Sequence, residues 1–202
     1  MRKTISDVLT IFGLASTISI SPVWGQVQQT TRLIGTIERV VGANLVVKTA
    51  QSEKEVNVSP DTTVFALVTA TLADVKPGVF VGVGATPQSD GSQQAIRVMI
   101  FPESMRGLGE GHRPWDRPGT TMTNATVDTA VANIDGQIVT VSYKGGEKKI
   151  VIRPDATILT YVAADRNELK PGAGVAVSGM VGTGGAVEAS RVVVGRGGVV
   201  PN

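Results

Sequence analysis

From Leu33 onward, apolar residues recur at alternate positions in short runs separated by Gly, Pro, Asn and Asp, the pattern of strands with one buried face. Residues 33–41 and 44–49 flank Gly42-Ala43-Asn44. Residues 125–134 and 138–143 flank Asp135-Gly136, a strong hairpin signal. A third strand is expected over 54–58 and again over 147–152. Pro60-Asp61 and Pro154-Asp155 then interrupt the ladder, because proline has no N–H to give it. Short strands follow at 63–66 and 157–161. Further strands are expected at 79–85 and 93–101, matched by 174–180 and 187–194.

The two series are copies. Ser59-Pro60-Asp61-Thr62-Thr63-Val64-Phe65 falls on Arg153-Pro154-Asp155-Ala156-Thr157-Ile158-Leu159 at an offset of 94. The same offset carries Asp74-Val75-Lys76-Pro77-Gly78 onto Glu168-Leu169-Lys170-Pro171-Gly172. It also carries Val81, Val83, Arg97 and Val98 onto Val175, Val177, Arg191 and Val192. Upstream, Thr36-Ile37 matches Thr126-Val127 at an offset of 90, so the second copy has a longer first hairpin. A unit of this length is too long for a solenoid repeat and suits a duplicated small domain, each copy with its own core.

Each copy holds one helical signal. Thr71 and Asp165 are capping residues with an acid three positions on, so a single short turn can form, and Lys-Pro-Gly ends it both times. The glycine supplies the positive φ that a type II turn requires. The predicted fold is all-β: two tandem small antiparallel OB-like barrels, each with one short helical turn, with a sandwich as the alternative. The divisions are a leader at 1–25, a first barrel at 26–101, a structured linker at 102–124, a second barrel at 125–196 and a tail at 197–202.

Residues 1–25 read as a secretion signal: Arg2 and Lys3, an apolar run from Val8 to Ile20, and a cleavage site near Gly25. The expected location is the periplasm; a retained membrane anchor is the competing reading. No later segment is a candidate helical span. With no Cys, thiol chemistry is excluded. The 19 basic and 17 acidic residues nearly balance, and aromatics are few. Neither an electrostatic footprint nor a stacking platform for nucleic acid is present.

The Pro-Asp break, the acid-containing turn and Lys-Pro-Gly before a Val-x-Val strand resemble an uncharacterised domain family of bacterial exported proteins, predicted to be OB-like. The resemblance covers 33–101 and 125–194. The segment Phe101-Pro102-Glu103-Ser104-Met105-Arg106-Gly107 with Gly109-Glu110-Gly111-His112-Arg113-Pro114-Trp115-Asp116 is similar to tandem members labelled metal-transporter permeases. That label conflicts with a chain lacking the several apolar spans a permease needs. The resemblance implies fold and location and brings no catalytic residues.

The linker has no counterpart in the duplication and contains the sole His. Arg106, Arg113 and Trp115 could contact an anion or a sugar. Glu110, His112 and Asp116 could ligate a metal, although no further ligand is identified and no metal or cofactor is assigned. The structural alternative has Trp115 wedged between the domains and Arg113 paired with Asp116. Gly182-Thr183-Gly184-Gly185 lacks the lysine and helix of a phosphate loop and reads as a hairpin turn. No nucleophile or acid–base pair stands out, so the expectation is a non-enzymatic binding or assembly module of the bacterial cell envelope, its partner an envelope protein. Small-ligand, anion or cation binding at the linker is the alternative.

Overall fold

The computed structural model describes residues 30–201, so the leader expected at 1–25 lies outside the described residues. Thirteen strands form one continuous mixed sheet: β1 (Thr30–Val41), β2 (Asn44–Lys48), β3 (Glu53–Asn57), β4 (Thr63–Thr69), β5 (Phe80–Pro87), β6 (Gln93–Phe101), β7 (Gly111–Pro114), β8 (Thr121–Asn133), β9 (Gly136–Tyr143), β10 (Gly146–Ile152), β11 (Thr157–Ala163), β12 (Gly174–Val181) and β13 (Val187–Gly195). The helical content of the described residues is four 3-10 turns of three residues each. Among the described residues, no helix is long and apolar enough to cross a membrane.

The all-β expectation holds, and the strand positions follow the alternation closely. The two expected helical turns form at Leu72–Asp74 and Arg166–Glu168. Asp74 accepts from both the amide and the hydroxyl of Thr71, and Asp165 accepts from the Asn167 amide. Gly78 and Gly172 both sit at φ 88°, where a side chain would be strained. The Gly-rich segment at 182–185 is the turn joining β12 to β13.

The arrangement of the copies differs from the expectation. β1, β2 and β3 form the meander read from the sequence. The free edge of β1, however, takes β12 of the second copy, with Leu33 opposite Val177 and Gly35 opposite Val175. β12 pairs with β13, and β13 returns to β3 in parallel, which closes a ring. The other ring is β8, β9 and β10 of the second copy completed by β6 and β5 of the first. Each ring therefore contains three strands of one copy and two of the other.

The interior follows the rings and not the copies. One cluster joins Ile37, Leu45, Val47 and Val56 to Val175, Val177, Val192 and Val194. Another joins Val81, Val83, Val98 and Ile100 to Val127, Val139, Val141 and Ile150. The expectation that each copy has its own core is thus corrected. Both copies carry the same valine pattern, so β5 and β12 can fill either ring, and burial is satisfied by exchange. The sheet is also mixed instead of purely antiparallel, because β6 and β13 run parallel to their neighbours β10, β11, β3 and β4.

Two backbone details hold the exchange. Gly78 N donates to Val127 O at 2.8 Å and Gly172 N to Ile37 O at 2.7 Å, so each Lys-Pro-Gly turn is fastened to the first strand of the other copy. Register shifts occur at Ile37/Arg39 and Val127/Thr129, and again at Gly84/Ala85 and Ser178/Gly179, matched positions in the two copies. Such bulges bend strands sharply enough to close a small ring.

The rings are joined by β4 and β11, which pair antiparallel with Leu67 opposite Tyr161. Those two residues correspond at the offset of 94, so a local two-fold axis passes between them. A third apolar cluster of Leu67, Leu159, Ala176 and Val193 lies at this junction, with Phe65, Met99, Tyr161 and Val199 packed against it.

Candidate functional site

The junction is concave, and its lining is cationic. A cleft of about 280 Å³ is lined by Arg32 of β1, Arg191 of β13 and Arg113 of β7, with Met99, Phe101 and Tyr161 among its apolar walls. A second depression of about 160 Å³ shares Arg32, Arg113, Phe101 and Tyr161, and adds Arg97 of β6 and Trp115. Neither lining contains Asp or Glu. Arg97 and Arg191 are the same position in the two copies and are brought to one junction by the exchange of β6 and β13.

An aromatic row forms one wall. Tyr161 stacks on Phe101 with centroids 5.7 Å apart and meets Phe65 edge-on at 6.1 Å; Phe101 in turn lies 5.7 Å from Phe80. Burial raises the Tyr161 hydroxyl above its ordinary pKa, while Arg32, Arg191 and Arg97 pull it the other way. The phenol therefore stays neutral at physiological pH and can donate a hydrogen bond.

Trp115 occupies the space left by a missing side chain: a methyl on Gly84 would stand 2.2 Å from Trp115 Cζ3. Asn124 of β8 lines both depressions and is only 6% exposed. Its Nδ2 donates to Leu108 O at 2.8 Å, whereas its buried Oδ1 has no hydrogen-bond partner. The C-terminal segment is part of the same place, since buried Pro201 lines the larger cleft.

The residues expected from the linker are divided by the structure. Gly111–Pro114 forms β7 against β8, and strand alternation sends neighbours to opposite faces. Arg113 and Trp115 reach the junction, with Arg113 Nη1 donating to Gly109 O at 2.8 Å. His112 faces away, 2.8 Å from Thr123 Oγ1 through Nδ1 and stacked on Tyr143. Burial lowers its pKa, and Lys148 adds to the shift. Glu110 accepts the Lys144 amide at 2.8 Å.

Arg106 pairs with Glu103, and its Nη2 donates to Gly78 O at 2.8 Å. It borders a shallow depression that adjoins the cleft through Leu108, Gly109 and Arg191. Asp116 is exposed and lines neither depression. Among the described residues, no three His, Asp or Glu side chains gather where a metal could be held.

Arg32, Arg97, Arg191, Tyr161 and Asn124 were not singled out by the sequence. The available signal was the arginine repeated in Ala95-Ile96-Arg97-Val98 and Ala189-Ser190-Arg191-Val192, a cation at the same place in two corresponding strands. The arrangement suits recognition of an anion, because a guanidinium presents a planar fork of donors matched to carboxylate, phosphate or sulfate. Comparison of the chain with protein-family models, curated proteins and solved structures found no match in any of the three.

Proposed function

We propose that this chain is an exported, non-enzymatic binding module of the bacterial cell envelope that holds a small anionic ligand at the junction of its two rings, each ring a small OB-like barrel. The supporting observation is the meeting of Arg32, Arg97, Arg113 and Arg191 in depressions whose lining has no carboxylate. The apolar walls and the few polar groups among them are what a ligand site needs. The volume of the larger cleft lies near the lower end of the roughly 300–1,000 Å³ range for small-ligand pockets, so a metabolite fits better than a polymer.

The test is thermal unfolding of the chain from Gln26 onward against sulfate, phosphate and a panel of carboxylates, with Arg97→Gln/Arg191→Gln alongside. A ligand at one hundred times its Kd stabilises by about 2.7 kcal/mol. For a chain of this size that raises the Tm by roughly 5–10 °C. The double variant should keep a cooperative transition and lose the shift. No shift with any anion would overturn the reading.

A second reading is assembly with an envelope protein, favoured by matched apolar hairpin tips. Val41 at the β1–β2 turn and Val131 and Ile134 at the β8–β9 turn are exposed, Ile134 to 96%. Val41→Thr with Val131→Thr and Ile134→Thr would abolish association with such a partner and leave anion shifts intact.

A further inference from the structure

The junction contains a feature that arginines alone do not explain. Asn124 has its amide orientation fixed, because Nδ2 donates to Leu108 O at 2.8 Å and a flipped amide would set two oxygens against each other. Oδ1 therefore points the other way, toward Gly82 and the edge of Phe101. A methyl on Gly82 would stand 2.9 Å from both Oδ1 and Phe101 Cε2. The second copy has Ala176 where the first has Gly82, so glycine, which lines the smaller depression beside Asn124, sets no methyl against the buried oxygen on this side of the local two-fold axis. A buried amide oxygen without a donor is unfavourable, and a ligand that brings an N–H or O–H to it relieves that penalty.

The same depression is lined by Arg32, Arg97 and Arg113 and walled by Phe101, Tyr161 and Trp115. Three demands then fall on one small molecule: an acidic group for the guanidinium forks, a donor for Asn124 Oδ1, and a face that lies flat on aromatic rings. A simple anion such as sulfate meets only the first. An aryl or alicyclic acid meets the first and third. A sugar acid meets all three, with its carboxylate on the arginines, a ring hydroxyl donating to Asn124 Oδ1, and its C–H face on the rings.

We infer that the ligand of this site is a monosaccharide acid, recognised jointly by the arginine cluster and by Asn124 Oδ1. This rests on the anion-binding reading above and narrows it to one class of ligand.

The experiment is calorimetric titration of the chain from Gln26 onward with glucuronate, cyclohexanecarboxylate and glucose. The first two share ring size and carboxylate and differ in the hydroxyls; the third has hydroxyls and no acid. Wild type should bind glucuronate at least tenfold more tightly than cyclohexanecarboxylate, and glucose more weakly than either. Asn124→Leu removes the acceptor and should erase the tenfold preference while holding cyclohexanecarboxylate within about twofold. Gly82→Ala, which leaves the bond to Leu108 in place and sets a methyl against Oδ1, should erase it as well.

Equal binding of the two acids by wild type overturns the inference and leaves the arginine site standing, as does a preference that survives both variants. Binding of neither acid by a wild type that sulfate, phosphate or another carboxylate still stabilises overturns the inference alone, and a wild type that no anion stabilises removes the anion-binding reading itself.

Discussion

The exchange of strands makes a prediction that self-contained copies would not. Leu33 of the first copy and Val177 of the second are direct partners on β1 and β12, both in the same apolar cluster, 9% and 0% exposed. Val83, which corresponds to Val177 in the first copy, lies in the other cluster opposite Thr123. Leu33→Ala at a nearly buried site destabilises by about 2–3 kcal/mol, the lower part of the range for such truncations. Val177→Ala removes two methyl groups, at about 0.8 kcal/mol each before any cavity contribution.

Side chains in contact couple by about 0.5–3 kcal/mol, and residues without shared partners add within about 0.3–0.5 kcal/mol. A double-mutant cycle by urea denaturation, followed by circular dichroism, should therefore give Leu33–Val177 a coupling of at least about 0.5 kcal/mol. Leu33 with Val83→Ala should be additive. Coupling of Leu33 to Val83 with additivity toward Val177 would refute the exchanged pairing.

Three further outcomes follow from particular contacts. Gly84→Ala places a methyl 2.2 Å from the Trp115 ring, so it should destabilise by about 1–3 kcal/mol and displace the indole, seen as a loss of near-ultraviolet ellipticity; an unchanged spectrum and Tm would count against the close approach. Arg166 is a cross-copy clasp, donating to the carbonyls of Val58, Ser59, Pro60 and Thr62; Arg166→Lys should lose about 1–2 kcal/mol in chemical denaturation, since an ammonium cannot reproduce the fork and the site is exposed. His112 is held below its ordinary value of about 6.5, so between that value and its folded value the unfolded chain binds more protons and stability falls as pH falls; Tm measured from pH 7 to pH 5 should drop more for wild type than for His112→Gln, and parallel curves would remove the assigned shift.

The strands were legible because alternation survives in any environment with one wet face, and the duplication made each strand readable twice. The Lys-Pro-Gly turns and the acid-capped 3-10 turns were legible for the same reason. Which β-hairpin completes which ring was not. Val81-x-Val83 and Val175-x-Val177 present the same face, so a pattern matched within one copy is matched equally across copies.

The site depended on that hidden choice. Arg97 and Arg191 were seen as repeat partners, but the two adjoining depressions they line, Arg191 in the larger and Arg97 in the smaller, arise only when β6 and β13 change places around the β4–β11 ladder. The structure divides the linker residues for a local reason. His112 and Arg113 are sequence neighbours, and once Gly111–Pro114 joins β8 as a strand they must face opposite ways; the Gly and Pro around them masked that strand.

The closure of the first ring carries a consequence for synthesis on the ribosome. Thr62 Oγ1 donates to the carbonyl of Ala189, 127 residues further along the chain. β1, β2 and β3 emerge early and must wait for β12 and β13 before the ring is complete. At translation rates of about 5–20 residues per second, that wait is on the order of 10 s. Through it the nascent chain exposes the β1 edge, with its unpaired amides and a half-covered apolar face. A β5–β6 hairpin of the same pattern is already present to occupy that edge wrongly. Such a non-exchanged pairing would have to be undone before the native sheet could form, and holding the chain extended until its last strands are made would avoid it.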